Sequence, residues 1–183
     1  MRLHSRKGLF GLLVFLALAG LPLYAANIVT NGSFEIGGSS GWIIGGSGIY
    51  ISCAGVAAAG NCYAMPSPPG PSTLSQTLSD VAGTAYTFDF WYDSWAVNMP
   101  FSAYWNGSQL VSQTDWTNGV WTKYSFNVVG TGSDTISFSF TVSNWYSALD
   151  DVSVDSSAPE PASMALLAGG LMVLAFRLRL RRR

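Results

Sequence analysis

Residues 27–157 of this 183-residue chain are predicted to fold as an all-β antiparallel sandwich, and three observations carry the prediction. Apolar and polar residues alternate at period two in one short segment after another, the pattern of strands with one face in a core and one face outside. Glycine, asparagine and proline clusters punctuate these segments at close intervals, with Asn31-Gly32, Ala82-Gly83-Thr84 and Asn106-Gly107 as turn signals. No stretch between the two chain ends shows a helical period, and eight or so short alternating strands are what a two-sheet sandwich needs.

Asn27 to Glu35 reads as a short opening strand running into the Asn31-Gly32 turn. Gly37 to Gly48 is rich in glycine and serine and is expected as a loop, tied down because Trp42, flanked by Ile43 and Ile44, would not be left in water. Ile49 to Cys53 and Tyr63 to Met65 are short strands, separated by a small-residue loop. Pro66 to Pro71 holds four prolines in six residues and is expected as a surface loop. Thr73 to Val81 places Leu74, Gln76 and Leu78 on one face. The strongest strand is Ala85 to Trp95: Tyr86, Phe88, Phe90 and Tyr92 share one face, and Thr87, Asp89, Trp91, Asp93 and Trp95 the other. Phe101 to Trp105 and Gln109 to Gln113 flank the hairpin signal Asn106-Gly107. Trp121 to Val129 gathers Tyr124, Phe126 and Val128, and Thr135 to Val142 gathers Ile136, Phe138, Phe140 and Val142. Ala148 to Val154 is the last strand.

The two ends have their own physics. Arg2, Arg6 and Lys7 precede an apolar run from Leu9 to Leu21, then Pro22 and a small-residue site at Ala25-Ala26. This order is that of a secretory signal peptide, residues 1–26. At the other end, residues 158–183 hold Pro159-Glu160-Pro161, an apolar run from Ala162 to Phe176 and a terminal cluster of five arginines. The triplet blocks helix and reads as an extended, accessible peptide. As a helix the apolar run spans roughly 22 Å, short of a bilayer's hydrocarbon core of roughly 30 Å, and Leu178 and Leu180 lengthen it if the arginines snorkel. The arginines hold that end on the cytoplasmic side. The tail resembles the PEP-CTERM sorting domain of Gram-negative bacteria in all three parts and in its position. That resemblance implies recognition near Pro159, Glu160 and Pro161 by an exosortase-type membrane protease, an inner-membrane-anchored precursor, and release to the cell surface or an extracellular matrix where exopolysaccharide is made. The plainer alternative is a membrane anchor that is never cut.

Stripping both ends changes the composition. Of nine lysines and arginines only Lys123 remains, against nine carboxylates, so the exported part carries about −8; its only histidine, His4, is lost with the signal peptide. No basic patch exists to neutralise phosphates, which excludes nucleic acid as a partner. Without histidine there is no Ser-His or Cys-His nucleophile pair and no histidine metal site. Cys53 and Cys62 remain, with eight residues between them; in an oxidising compartment they are expected as a disulfide, since a metal or redox pair lacks both histidine partners and CxxC spacing. Asn31-Gly-Ser and Asn106-Gly-Ser match the glycosylation sequon, but turns explain them better.

Val29-Thr-Asn-Gly-Ser-Phe-Glu35 with Gly41-Trp42, Leu74-Ser-Gln-Thr-Leu78, Tyr86-Thr-Phe-Asp-Phe90 and Leu149-Asp-Asp-Val-Ser-Val154 resemble the strands of galactose-binding-like jelly rolls and related carbohydrate-binding modules. The resemblance implies a jelly-roll sandwich whose first and last strands lie side by side and bind a structural Ca²⁺. Glu35, Asp150 and Asp151 are the candidate ligands, because Ca²⁺ takes oxygen donors and Asp150, on the face of Val152 and Val154, would point at the core and need a partner. The alternative is that these aspartates cap turns or sit in water. Trp91, Asp93 and Trp95 are the candidate sugar-binding set: indole faces pack on sugar C–H groups while carboxylates accept from hydroxyls. Trp105, Trp116, Trp121, Trp145, Tyr104 and Tyr146 cluster near strand ends, where filling the core is the commoner fate of tryptophan. The expected protein is a non-catalytic polysaccharide binder; a structural matrix protein without sugar binding, or a glycosidase whose carboxylate spacing is unreadable from sequence, are the alternatives.

Overall fold

The computed structural model describes residues 26–95, 98–114, 119–143, 147–156 and 169–170. The expected signal peptide and sorting tail, with Pro159, Glu160 and Pro161, lie outside the described residues apart from Gly169 and Gly170, which are helical. Among the described residues no helix is long and apolar enough to cross a membrane.

Ala26–Ser157 is a compact unit. Its strands are β1 (Ile43–Gly46), β2 (Ile49–Ser52), β3 (Tyr63–Pro66), β4 (Gly70–Thr77), β5 (Ala85–Ser94), β6 (Phe101–Trp105), β7 (Ser108–Gln113), β8 (Thr122–Val129), β9 (Thr135–Val142) and β10 (Ser147–Ser156). They form two five-stranded antiparallel sheets, sheet I in the order β1-β4-β9-β6-β7 and sheet II in the order β2-β3-β10-β5-β8. The predicted sandwich is therefore present. The alternating residues of β4, β5, β6 and β9 face inward, and Leu74, Phe88, Phe90, Tyr92, Phe101, Ile136, Phe138 and Phe140 are sealed from water. Their rings interlock: Tyr92 stacks on Phe101 with centroids 4.0 Å apart, and Phe138 meets Phe90 edge-on at 5.1 Å. Each such ring removed from water contributes about 1.5–3 kcal/mol. Trp105, expected near a strand end, belongs to this core beside Phe88.

The outer faces of the two sheets differ. None of the five strands of sheet I carries a charged residue, and its outward positions on β4 and β9 (Thr73, Ser75, Thr77; Thr135, Ser137, Ser139, Thr141) are hydroxylated. Every strand-borne charge among the described residues lies on sheet II: Asp89 and Asp93 on β5, Lys123 on β8, and Asp150, Asp151 and Asp155 on β10.

Three local expectations are corrected. The opening segment is not a regular strand: Asn27 makes a single bridge to Asp155, Ile28 N–H donates to Val154 O at 3.0 Å, and the chain then turns at Asn31 to Phe34. Side chains replace the ladder there. The Gln76 amide makes both hydrogen bonds to the Thr30 backbone, and the Asn31 side chain ties Ile36, Gly38 and Ser40 together. The opening segment still lies against the last strand, as the resemblance implied: Val152 N–H donates to Gly32 O at 3.0 Å, so close that a Cβ at Gly32 would stand 1.9 Å from Val152 O. Second, the glycine-rich stretch contains strand β1 at the edge of sheet I. Trp42 is buried as expected, its Nε1–H donating to Asn31 O, but Ile43 stands outside, opposite Ser75. Third, half of the proline stretch is strand, since β3 ends at Pro66 and β4 begins at Gly70, and only 67–69 form the expected loop.

Asn106 and Gly107 both have positive φ, as a two-residue hairpin turn requires, and they join β6 to β7. That corner is fixed by a polar knot that the sequence reading did not identify. The completely buried Asp134 carboxylate accepts from Asn106 Nδ2, Thr131 Oγ1 and Thr131 N–H, while Asp80 accepts from Gly132 N–H and Asp134 N–H at 2.7 Å each. Burial pushes the Asp80 carboxyl up, but these amide donors more than offset it, and the net shift is below the ordinary value.

Candidate functional site

The predicted site residues converge on the outer face of sheet II. β5 and β8 run in register from Ala85↔Val129 to Tyr92↔Thr122, which sets Lys123 opposite Trp91 and Ser125 opposite Asp89. On the other side of β5, β10 sets Asp150 opposite Trp91. Residues directly opposite share a face, so Lys123, Trp91 and Asp150 form a row across the outside of the sheet.

This corrects the expectation that Asp150 points with Val152 and Val154. A bulge between Asp150 and Ser153, with Asp151 at φ 47°, shifts the register by one residue, so Leu149, Val152 and Val154 enter the core while Asp150 faces outward. Asp150 is buried nonetheless, because the loop between Cys53 and Cys62 lies over it. Ala59 N–H donates to Asp150 Oδ2 at 2.9 Å, and Asp151 N–H donates to Oδ1 at 2.7 Å. Burial raises the Asp150 carboxyl to about 6, against the lowering effect of these amides and that of Ala58.

Cys53 and Cys62 are joined by the predicted disulfide. Glu35 holds the same loop from another side, its Oε1 accepting from Asn61 N–H at 2.6 Å and Cys62 N–H at 2.7 Å. Tyr63 Oη–H donates to Ala54 O, and Trp121 Nε1–H donates to Val56 O, both at 3.0 Å. Glu35 and Asp150 thus act as loop anchors. Among the described residues no three His, Cys, Asp or Glu side chains are placed to hold a metal ion, so Glu35, Asp150 and Asp151 are not assembled as a carboxylate ligand set.

The expected trio of Trp91, Asp93 and Trp95 is only partly open. Trp91 is half-buried, Asp93 is 1% exposed opposite Ala148, and Trp95, one residue past the end of β5, is 38% exposed. Trp95 lies against Gly119, where a Cβ would stand 2.8 Å from its ring. Gly119 leads through Val120 to Trp121, which precedes β8 with the outward parity of Lys123 and meets Tyr63 edge-on at 6.0 Å. Trp121 therefore joins the site, although the sequence reading placed it only among aromatics near strand ends. Trp116, Trp145 and Tyr146 lie outside the described residues. Lys123 pairs with Asp89 at 2.7 Å, and the hydrogen bond that the ammonium donates to Asp89 raises the lysine's pKa. Asp89 Oδ1 is buried with no hydrogen-bond partner among the described residues.

The face thus offers apolar ring and valine surface beside carboxylates, with its single lysine already engaged. It offers no nucleophile–base pair. Asp150 has the raised pKa that suits a general acid, but it is sealed beneath the loop.

Residues 157–183 match the PEP-CTERM protein-sorting motif, which marks an exported, membrane-anchored precursor. No curated protein matches the chain in sequence. Its structural neighbours include several carbohydrate-binding modules. TmCBM61, solved in complex with β-1,4-galactotriose, aligns with TM-score 0.62 at 20% identity over 71% of this chain and 98% of that one. The CBM22-1 xylan-binding domain of Paenibacillus barcinonensis Xyn10C aligns with TM-score 0.55 at 15% identity over 75% and 98%. The enzymatically active domain of bacteriophage CBA120 tailspike protein 4 aligns with TM-score 0.56 at 15% identity, over 71% of this chain but 21% of that one. At these identities the likeness is one of fold: an exported chain built around a sandwich like that of carbohydrate-binding modules.

Proposed function

We propose that the exported sandwich binds polysaccharide without cutting it. In this reading an exosortase-type protease processes the tail, and the domain is delivered to the cell surface or extracellular matrix of a Gram-negative bacterium. The observation that carries the binding role is the indole surface of exposed Trp95 and half-buried Trp121 beside the carboxylates of sheet II, on a sandwich of the carbohydrate-binding-module kind. Stacking surface with few polar groups is how protein sites commonly grip sugars. The absence of histidine from the sandwich and the sealing of Asp150 favour binding over hydrolysis. A glycan array of the purified protein, followed by a reducing-end assay on whatever it retains, tests both halves. Retention without new reducing ends is expected; release of new ends would make it a glycosidase, and no retention would favour a structural matrix role.

A structural Ca²⁺ belongs to this reading in reduced form. Asp150, whose oxygens accept the Ala59 and Asp151 amides, would be its carboxylate donor. Its binding would keep that carboxylate ionised. Chelation followed by thermal melting tests it.

A further inference from the structure

The polysaccharide reading leaves open what the disulfide loop does at the site. Val56, at its tip, is 81% exposed and Val120 is 61% exposed, and the two flank Trp121. Trp95 extends the same surface through Gly119. The result is an apolar ridge beside the outer face of sheet II, in which Val56, Val120 and Trp95 are exposed and Trp121 is half-buried. Large exposed apolar patches on a soluble domain mark interaction sites. The loop's contribution is pre-set: the Cys53–Cys62 bond closes it, Glu35, Asp150 and Tyr63 hold its backbone, and Trp121 grips the Val56 carbonyl. A surface ordered in advance loses little entropy when it binds.

The surrounding charge restricts the occupant. Asp89, Asp93 and Asp151 lie on the neighbouring strands, Lys123 is spent on Asp89, and the exported part carries one lysine against nine carboxylates. A chain of uronate or sulfate groups laid along this ridge meets like charge with no free cation to receive it.

We infer that the Cys53–Cys62 loop is a wall of the glycan site, presenting Val56 and fixing Trp121 so that a non-acidic polysaccharide packs along the ridge. This inference rests on the polysaccharide reading, and the experiment separates the two. The full chain in detergent is run in affinity gels containing β-1,4-galactan, xylan, mannan or polygalacturonate, alongside Val56→Asp, Trp121→Ala, Trp121→Phe and the double variant Cys53→Ser/Cys62→Ser. Retardation by at least one of the three neutral polymers and not by polygalacturonate is expected. Val56→Asp and Trp121→Ala each weaken it about tenfold, the scale of one well-packed aromatic or apolar contact. Trp121→Phe, which keeps a ring but loses the bond to Val56, falls between Trp121→Ala and wild type, and the double variant weakens binding as well. Val56 is too exposed for its substitution to unfold the domain, and an unchanged melting temperature confirms that the readout is binding. Wild-type binding that survives both Val56→Asp and Trp121→Ala overturns the wall while leaving the polysaccharide reading intact. Equal retardation by polygalacturonate overturns the exclusion of acidic chains. No retardation by any polymer overturns the polysaccharide reading and this inference with it.

Discussion

Replacing Asp150 by asparagine should flatten one component of the pH dependence of folding. The carboxyl is raised from 3.8 to about 6 because the disulfide loop buries it, so between these values the folded protein holds a proton that the unfolded chain has released. A group raised in this way contributes stability that is fully present below pH 3.8 and is lost as pH rises through about 6. The shift of about two units corresponds to about 3 kcal/mol at 1.36 kcal/mol per unit. For a domain of this size that is on the order of 10 °C in melting temperature. The assay is urea unfolding of wild type and Asp150→Asn at intervals from pH 3.5 to 7.5, with chelator present. Asparagine keeps one carbonyl acceptor but turns an N–H donor toward the Ala59 or Asp151 amide, so the variant is less stable by about 1–3 kcal/mol at low pH. The quantity of interest is the difference between the two curves, in which the other carboxylates cancel. It should fall by about 2.4 kcal/mol as pH rises from 4 to 7, bringing the two stabilities level or reversing their order. A difference that stays flat means that Asp150 is not desolvated in the native state. A difference that grows with pH means that Asp150 is ionised there, and if this behaviour appears only when Ca²⁺ replaces chelator, the ion is bound at Asp150.

Other substitutions probe other parts of the structure. Asp80→Asn should destabilise by about 1–3 kcal/mol at pH 7, since the Gly132 and Asp134 amides would share one acceptor oxygen. Because the Asp80 carboxyl lies below its usual value, the stability it adds is present above pH 3.8 and lost as pH falls through its folded value, so the variant's deficit should narrow in acid. Gly32→Ala should cost several kcal/mol by chemical denaturation, because a Cβ 1.9 Å from Val152 O forces the opening segment off β10; wild-type stability would show that the segment is not docked there. Alkylation of the native protein without reductant should add no mass, and opening the Cys53–Cys62 bond should cost about 2–3 kcal/mol. Replacing Pro159-Glu160-Pro161 by three alanines should leave a full-length, membrane-retained protein; identical mass and fractionation of variant and wild type would make the tail an anchor only.

The inward face of β5 and the whole of β9 were legible because local pattern and tertiary role agree: period-two alternation in Tyr86–Tyr92 and Ile136–Val142 is also the division between core and outside. The hairpin at Asn106-Gly107 was legible for the same reason, since its turn chemistry is local. Asp150 was misplaced because a bulge leaves no mark in the alternation that precedes it, and extrapolating from Val152 and Val154 carried the wrong parity across Asp151. The opening strand was overread because its partners, Gln76 and Val152, are far away in sequence and supply side-chain or single backbone bonds in place of a ladder. The Asp80–Asp134 knot joins residues 54 apart and sits in turns without periodicity. Trp121 was seen but not chosen, because Val56 reaches it only through the loop that the disulfide closes, and Trp95 only through Gly119.

The segregation of strand-borne charge makes the outer face of sheet II more negative than that of sheet I. Close to an anionic surface, such a body feels a torque as well as a net repulsion. The orientation of lowest energy turns the hydroxylated strands of sheet I toward the negative surface and sheet II, with its aspartates and indoles, toward the medium. The torque acts within about 8–10 Å of the surface at physiological salt and fades as salt is added. Under the proposed reading, a domain freed at a negatively charged envelope leaves it facing outward, with the ridge of Val56 and Trp121 on the side from which a polymer in the medium arrives.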